Sequence, residues 1–276
     1  MNFSEKISVS MCVYGKDNPE HFKIAVDSIL QQTVEPDEVV LVVDGPVPDE
    51  LDKIICSYEE KSVFNVIRLP ENVGHGEARR IGLKNCKNEL VALMDADDIS
   101  FPERFEQQLE MFRGDEELVI VGSHISEFIG EEENIVSYRR VSLTDEEIKI
   151  DMKKRCPMNQ VTVMFKRSEV EKVGGYIDWY CEEDYYLWLR LMLGGGKFAN
   201  CDSVLVNVRT GEGMYSRRGG ISYFKSEARL QGFMIKNGII GISDYVINVA
   251  KRLIVQVFLP NKIRGFVFKK FAREEE

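Results

Sequence analysis

The sequence of 276 residues has none of the patterns that mark covalently crosslinked, membrane-spanning or repetitive proteins. Its six cysteines include no C-x-x-C pair and have neither zinc nor disulfide spacing, so we expect buried thiols in a reducing compartment. No apolar run approaches the ~20 residues that span a bilayer. The N-terminal segment MNFSEKIS has no signal-peptide pattern. We therefore expect one globular α/β domain with elaborations, located in the cytoplasm.

Positive charge is scarce except near the C-terminus. The net charge is -10 at pH 7, which argues against nucleic acid as the main partner. In residues 245–276, however, seven lysines and arginines face only three glutamates. Apolar residues recur among these charges, namely Val246, Val249, Ala250, Leu253 and Val257 on one helical face, then Ile263, Phe266, Val267, Phe268 and Phe271. This basic amphipathic tail predicts peripheral contact with an anionic membrane surface, at the inner face of the cell membrane, and the alternative is a final helix packed on the domain.

A short apolar run, Leu90–Met94, ends in the sequence DADD. The run predicts a buried central strand, and open α/β sheets bind ligands beyond the carboxyl ends of their strands. Residues i and i+2 of an extended segment point the same way, so Asp95 and Asp97 are expected to converge. A Mg²⁺ or Mn²⁺ ion that holds a diphosphate would offset their repulsion. The alternative is an acidic turn that caps the next helix, where we also predict a capping box formed by Ser100 and Glu103.

The residues before this run alternate between strand and helix patterns. Strands are predicted over Ile7–Tyr14, Glu38–Val43 and Val63–Leu69. Asp44 follows the second strand and is either a turn former or an acceptor of hydrogen bonds from a nucleotide base or ribose. Arg79 lies near the start of a helix predicted over 78–84, where it is placed to reach a phosphate. His75 is interpreted as a surface loop residue.

The second half of the chain contains a cluster of acids and aromatic rings. A strand is predicted over Pro157–Phe165, followed by a helix over Lys166–Val173 that ends in Gly174 and Gly175. Trp179, Tyr180, Tyr185 and Tyr186 then flank three acids, Glu182, Glu183 and Asp184. Rings beside acids are typical of a carbohydrate pocket, and apolar neighbours raise the pKa of a carboxyl so that it acts as a general base. The alternative is a favourable interaction of these acids with the dipole of the next helix.

The segment Arg209–Gly220 is rich in glycine and arginine. It predicts a loop whose arginines fold over an anionic ligand, and a solvated basic loop is the alternative.

Several motifs occur in an order that resembles one enzyme family. They are SILQQT at 28–33, VVDG at 42–45, ENVG at 71–74, LMDADD at 93–98, VGGY at 173–176 and EEDYYLWLRL at 182–191. Over most of residues 5–215 the chain resembles an inverting family 2 glycosyltransferase with a GT-A fold. The tail and the loop that ends in SRRGG look closest to enzymes of amylovoran and capsular exopolysaccharide biosynthesis.

The resemblance implies an α/β fold with a Rossmann-like, mixed and mostly parallel central sheet flanked by helices, and a C-terminal helical tail. It implies a nucleotide-sugar-binding half over 1–100, an acceptor-binding and catalytic-base half over 101–220, and the basic amphipathic tail over 221–276.

The resemblance also assigns roles to single residues. Asp44 would hold the nucleotide base, Asp95 would lie near the ribose and the metal, and Asp97 would bind the Mg or Mn ion on the diphosphate. Asp184, in the pair Glu183-Asp184, would be the catalytic base that deprotonates the acceptor. The remaining donor-site residues would be Arg79, Arg209, Gly174 and Gly175.

The implied reaction is one in-line displacement that transfers a single sugar with inversion. The donor would be a nucleotide sugar, in this family most commonly a UDP-sugar, and the acceptor a lipid-linked sugar or a polysaccharide. The Q-x-x-R-W pattern of processive polymerases is absent, which favours single addition. Relatives carry a histidine where Gly211 stands, so that Glu212 or water would complete the metal site.

Two other function classes are considered. One is a catalytically degenerate GT-A scaffold at the membrane, and the other is a metal-dependent nucleotidyltransferase or phosphatase that uses the same acidic cluster.

Overall fold

The computed structural model describes residues 5–211 and 219–259. The first part of the chain alternates strands and helices, as the sequence predicts. Its elements are β1 (Ile7–Tyr14), α1 (Pro19–Leu30), β2 (Glu38–Asp44), α2 (Asp49–Glu59), β3 (Phe64–Arg68), α3 (His75–Asn85) and β4 (Leu90–Met94). The predicted bounds of β1 and β4 are confirmed, whereas β2 is one residue longer than predicted and β3 is one residue shorter at each end.

The second part of the chain is less regular. It contains β5 (Ile99–Ser100), α4 (Arg104–Gly114), β6 (Leu118–Phe128), β7 (Ile135–Arg139), α5 (Asp145–Asp151), a 3-10 turn (Gln160–Thr162), β8 (Met164–Lys166), α6 (Arg167–Lys172), α7 (Glu183–Leu193) and β9 (Lys197–Arg209). The C-terminal helices are α8 (Ile221–Lys236) and α9 (Ile242–Arg252), and α9 continues into a π-helical turn (Leu253–Phe258).

The strands form one sheet in the order β3-β2-β1-β4-β8-β6-β9-β5, with β7 paired to β6. Strands β1 to β4, β6 and β9 run in one direction, whereas β5, β7 and β8 run in the other. The predicted mixed, mostly parallel sheet is therefore confirmed. The chain leaves β4 and pairs with the distant strand β9 through β5, so residues 95–98 link the two halves of the sheet.

Apolar side chains cover both faces of this sheet. On one face, α1, α2 and α4 contribute Phe22, Leu51 and Phe105 to a buried cluster. On the other face, α3, α7 and α8 contribute residues such as Trp188 and Leu230. Helices on both faces of a mostly parallel sheet make the three-layer arrangement that leaves the carboxyl edge of the strands open.

The predicted capping box of Ser100 and Glu103 is wrong. Ser100 belongs to β5, is buried, and its hydroxyl accepts a hydrogen bond of 3.1 Å from Gln32 Nε2. Helix α4 begins only at Arg104 and has no side-chain cap bond. Pairing of β5 with β9 thus takes precedence over the local cap, because the strand places the serine inside the protein.

The strand predicted over Pro157–Phe165 is mostly wrong as well. The hydroxyl of Thr162 donates to the carbonyl of Asn159 at 2.7 Å and accepts from the backbone N–H of Ser123 at 3.0 Å. These bonds fold the segment into a 3-10 turn and leave only the short strand β8. Short polar side chains that bond to nearby backbone groups offer the chain this alternative to a ladder.

Helix α9 packs on the domain through polar contacts. The amide of Asn248 donates to the carbonyl of Lys153 and to Gln231 Oε1, each at 3.0 Å. Arg252 Nε lies 2.9 Å from Glu227 Oε2, and both side chains are largely buried. The inner face of α9 is therefore polar, which the sequence pattern does not predict.

The apolar face predicted for the tail is only partly covered. Val246 is 57% exposed, and Ile242 and Ile254 on the same segment are 75% and 55% exposed. The segment is thus packed on the domain while much of its apolar surface faces outward. The predicted run of apolar and basic residues after Pro260 lies outside the described residues. Within the described ranges, no helix is long and apolar enough to span a bilayer.

Candidate active site

The acidic loop after β4 presents three carboxyl groups in different environments. The side chain of Asp95 is 35% exposed and Asp97 is exposed, so both are open to a ligand. Asp98 is buried, and its Oδ1 accepts a hydrogen bond of 2.8 Å from the backbone N–H of Arg209. Burial, together with the charges of Asp97 and Asp95, raises the pKa of Asp98 well above its usual range. The third carboxyl therefore fixes the loop to β9.

A chain of side-chain contacts connects this loop to the second acidic cluster. Arg79 is buried, and its Nη2 lies 2.5 Å from Asp95 Oδ1 while its Nε donates to His75 Nε2 at 2.9 Å. Because Nε2 accepts, the ring proton of His75 is on Nδ1, which lies 3.1 Å from Glu183 Oε1 and donates to it. His75 therefore has a definite structural role, which its interpretation as a surface loop residue does not include.

The two acids of the second cluster differ in their electrostatics. Desolvation of its carboxyl, and then the neighbouring charge of Glu183, raise the pKa of Asp184 to about 6. Burial also acts to raise the pKa of Glu183, but the hydrogen bond from His75 and the charge of Arg79 outweigh it and hold that pKa below its usual value. Such a pair, in which one acid ionises near neutral pH and the other well below it, is typical of a general base and its supporting group.

Asp95 and Asp184 line the same cavity, which has a volume of about 470 Å³. Other acids around it are Asp98, Glu127, Glu182 and Glu227, and the cations are Arg139, Arg155, Lys251 and Arg252. Burial, and then the charges of Glu227 and Asp184, raise the pKa of Glu182 well above its usual range. The sequence predicts that the two acidic motifs meet, but not the cations, because these come from β7, the segment after α5, and α9.

Asp44 lies at the end of β2 and is almost completely buried. Its two carboxylate oxygens accept backbone hydrogen bonds from Val73 at 2.7 Å and from Gly74 at 3.1 Å. The next residue, Gly45, has φ +86°, and a Cβ there would lie 2.7 Å from the backbone nitrogen of Asn72. The structure thus gives Asp44 the role of holding the loop before α3, and its contact with a nucleotide base stays a prediction.

The other predicted donor-site residues lie in well-defined surroundings. Gly174 and Gly175 both have positive φ after α6, and the carbonyl of Gly175 accepts a 2.7 Å bond from Arg190. Neither glycine is among the described residues that line the cavity. The guanidinium of Arg209 donates to the carbonyl of Asp97 at 3.1 Å and to that of Gly130 at 2.9 Å. Arg209 therefore holds the backbone of the acidic loop, and residues 212–218 of the predicted ligand-binding loop, with Glu212, lie outside the described residues.

The aromatic cluster is mostly internal. Trp179 and Tyr185 are only 7% and 2% exposed, and the ring of Tyr186 packs 4.4 Å from Trp179 and 4.9 Å from Phe233, between centroids. Tyr180 is the exposed member of the group. The prediction that these rings line a carbohydrate pocket is therefore wrong for Trp179 and Tyr186, which pack against α8, whereas Tyr185 is among the residues that line the cavity.

Asp17 and Arg104 belong to the site although the sequence does not single them out. Asp17 follows β1, and burial raises its pKa to about 6, with further contributions from Asp97 and Asp95. Arg104 is completely buried beneath the acidic loop and donates to the carbonyl of Leu93 at 2.8 Å. Acids that follow strands and arginines at helix starts are common in proteins, so the sequence pattern alone could not identify Asp17 and Arg104 as site residues.

The residues at the carboxyl edge of β4 suit a divalent cation that is shared with a ligand. Among the described residues, no three His, Cys, Asp or Glu side chains are arranged to hold a metal ion by themselves. Asp95 and Asp97 nevertheless supply two hard oxygen donors, and Mg²⁺ is usually bound by one or two carboxylates together with phosphate oxygens.

The fold and the position of the site define the class of GT-A glycosyltransferases. The model of the family described as Glycosyl transferase family 2 matches residues 8–173. The chain belongs to this family and is a glycosyltransferase.

Several relatives match nearly the whole chain, including two that have a named activity or pathway. The UDP-Gal:alpha-D-GlcNAc-diphosphoundecaprenol beta-1,3-galactosyltransferase of Escherichia coli is 35% identical over 268 residues, which are 97% of this chain and 97% of that protein. The amylovoran biosynthesis glycosyltransferase AmsE of Erwinia amylovora is 34% identical over 267 residues, 95% of this chain and 98% of that protein. The resemblance to enzymes of exopolysaccharide biosynthesis is thereby confirmed.

A solved structure supports the fold. The mannosyltransferase PcManGT of Pyrobaculum calidifontis, in complex with GDP-Man and Mn²⁺, superposes with a TM-score of 0.63 at 14% identity, over 94% of this chain and 71% of that one. At this identity the likeness shows the GT-A architecture.

The variants Asp95→Asn and Asp97→Asn test the role of the buried ion pair. Each removes one negative charge from the acidic loop, but only Asp95→Asn leaves the buried Arg79 without its counter-charge. We expect Asp95→Asn to lower the free energy of unfolding by about 1–3 kcal/mol, less than for a fully buried pair because Asp95 is partly exposed. The change for Asp97→Asn is expected to be within about 0.5 kcal/mol. Urea unfolding without divalent cations measures both, and equal destabilisation would contradict the expectation.

Proposed function

We propose that the protein transfers a single sugar from a UDP-sugar to a lipid-linked or polysaccharide acceptor, with inversion, in exopolysaccharide or capsule biosynthesis. The observation that carries this proposal is the shared cavity, which brings Asp95 of the acidic loop and the desolvated Asp184 to one space. The name of the E. coli relative specifies a UDP-sugar donor and a diphosphoundecaprenol-linked acceptor, which supports both classes of substrate.

On the donor side, the acidic loop would hold the nucleotide sugar through a Mg or Mn ion. Asp97 and Asp95 would bind the ion, and Arg79 would keep the carboxylate of Asp95 in place. A bound divalent cation supplies positive charge that stabilises the leaving nucleoside diphosphate. Asp44 and Gly45 support this side of the site through the loop before α3, with Gly174, Gly175 and Arg209 as further donor-site residues.

On the acceptor side, Asp184 would act as the general base. It would accept the proton of the acceptor hydroxyl while that oxygen bonds to the anomeric carbon and the bond from this carbon to the diphosphate breaks. Displacement from the side opposite the leaving group inverts the anomeric centre. Glu183 would take part as a positioning residue, because its carboxylate is held by His75 and its charge raises the pKa of Asp184.

The C-terminal segment would hold the enzyme on the cytoplasmic face of a membrane. The exposed isoleucines of α9 and its π-helical turn lie in the stretch of chain in which lysine and arginine are concentrated. Exposed apolar side chains beside cations suit the boundary of a bilayer with anionic lipids.

Ligand-induced thermal shifts test the donor proposal. We expect UDP with Mn²⁺ to raise the melting temperature, because a ligand that binds only the native state stabilises it by about 2.7 kcal/mol at a hundredfold excess over Kd. The shift should be smaller with GDP, dTDP or CMP, should need the metal, and should be lost in Asp97→Ala. A folded protein that responds to no nucleotide would count against transferase activity and in favour of a scaffold.

The pH dependence of transfer tests the role of Asp184. Its carboxylate accepts a proton only when ionised, so kcat/KM should rise as the pH rises through about 6, the pKa of Asp184, and then reach a plateau. Asp184→Asn should lower kcat by ~10²–10⁴-fold. Glu183→Gln should keep the rise but move its midpoint to lower pH, because the charge of Glu183 raises the pKa of Asp184. A midpoint that is unchanged in Glu183→Gln and a rise that persists in Asp184→Asn would exclude this assignment.

Vesicle binding tests the membrane proposal. The triple variant Ile242→Ser, Ile247→Ser and Ile254→Ser removes apolar side chains from the outer face of the tail. We expect its partition onto vesicles that contain anionic lipid to fall by about tenfold or more. The matched control replaces three exposed isoleucines elsewhere, Ile24, Ile129 and Ile150, by serine and should bind like the wild type. Equal loss in both triple variants would show that the tail is not the contact.

A further inference from the structure

We propose that Arg155 and Lys251 form a subsite for the diphosphate of a lipid-linked acceptor, at the cavity that contains Asp184. The proposal rests on the proposed function, since it takes the reacting hydroxyl of the acceptor to lie at Asp184. In a sugar that is linked to a lipid through a diphosphate, the diphosphate is attached to the same ring or chain of rings that presents this hydroxyl. Its charge must therefore be accommodated near the same cavity.

The described cations around the cavity divide into two kinds. Arg252 pairs with Glu227 at 2.9 Å, and Arg139 donates to the carbonyl of Cys156 at 2.7 Å. Arg155 and Lys251 are exposed, and within residues 5–211 and 219–259 their side chains have no hydrogen-bond or ion-pair partner. The first two cations maintain the structure, whereas the second two are available to an anionic ligand.

The backbone holds the two available cations at one place. The segment that carries Arg155 follows α5, and the carbonyls of Lys153 and Lys154 accept hydrogen bonds from Asn248 at 3.0 Å and Arg252 at 2.9 Å. Both donors belong to α9, the helix that carries Lys251. The polar inner face of α9 therefore fixes the separation between the two cation-bearing segments before a ligand binds, which lowers the cost of ordering them.

The electrostatics of the cavity favour this assignment. The net charge of the chain is -10, and Asp95, Asp184 and Glu227 are among the acids that line the cavity, so a diphosphate needs local positive charge to bind there. Arg155 and Lys251 supply that charge at one position. Charge-assisted hydrogen bonds from a guanidinium and an ammonium to phosphate oxygens are stronger than neutral ones.

The surroundings of Lys251 suit an apolar chain attached to the diphosphate. Ile247 and Ile254 lie four residues before and three residues after Lys251, so they are its neighbours on the helix surface. Ile247 and Ile254 are 49% and 55% exposed. Val255, about one helical turn after Lys251, lines the cavity. A cation between exposed isoleucines therefore matches a ligand that carries phosphate at one end and hydrocarbon at the other.

Binding of a short-chain alkyl diphosphate, measured by calorimetry with EDTA present, tests the subsite directly. We expect the wild type to bind it more tightly than the corresponding alcohol, and Arg155→Gln/Lys251→Gln to raise its Kd by about tenfold or more. The matched control, Lys153→Gln/Lys236→Gln, removes two exposed charges that do not line the cavity and should leave Kd unchanged. Unchanged binding in Arg155→Gln/Lys251→Gln, or equal weakening in the control, would overturn the proposal.

Two further binding measurements show whether the site recognises a lipid-linked diphosphate and whether it is distinct from the donor site. Inorganic pyrophosphate that binds as tightly as the alkyl diphosphate would overturn the assignment to a lipid-linked ligand. The Kd of UDP with Mn²⁺ should be the same in wild type and in Arg155→Gln/Lys251→Gln, because these cations are assigned to the acceptor and not to the donor. If UDP does not bind the wild type at all, the proposed function fails, and the alkyl diphosphate result still decides whether the subsite exists.

Discussion

Carboxyl groups crowded at one edge of a sheet repel one another, and the site depends on buried cations that offset this repulsion. Arg79 reaches Asp95 from α3, and Arg104 lies below the same loop on α4. Within the described chain Arg104 has no carboxylate partner and bonds instead to the carbonyls of Leu93 and Val163. Helices α3 and α4, on opposite faces of the sheet, thus each place one buried arginine near the acidic loop. The loop is therefore stable only when both helices are packed on the sheet.

Local sequence patterns were sufficient to predict the central strands of the sheet and the acidic loop that follows β4. An apolar run that ends in acids identified β4 and its carboxyl edge, and the alternation before it gave the parallel strands. Asp95 and Asp184 could be assigned to one site because the family resemblance gives both of them roles in the same reaction. These features depend on residues close in sequence, or on the general rule that open α/β sheets bind ligands at the carboxyl ends of their strands.

The features that the sequence does not predict depend on contacts between distant residues. His75 has a structural role only because Glu183, 108 positions later in the sequence, lies beside it. Ser100 belongs to a strand because β9 is available to pair with it, and the rings of Trp179 and Tyr186 are covered because α8 packs on them. In the tail, the periodic apolar residues predicted a membrane-facing segment, but they did not predict that hydrogen bonds from Asn248 and Arg252 attach the polar face of α9 to the domain.

The pairing of β5 with β9 also constrains the order in which the protein folds. The bond between Asp98 and the backbone of Arg209 joins residues 111 positions apart, and closing so long a loop is slow compared with forming the local β-α-β units. During synthesis, the strands up to β4 are complete long before β9 leaves the ribosome. A nascent chain can therefore assemble strands β1 to β4 early, but the acidic loop gains the geometry described here only after residue 209 has been added. A chain that ends before residue 209 therefore lacks a correctly formed acidic loop.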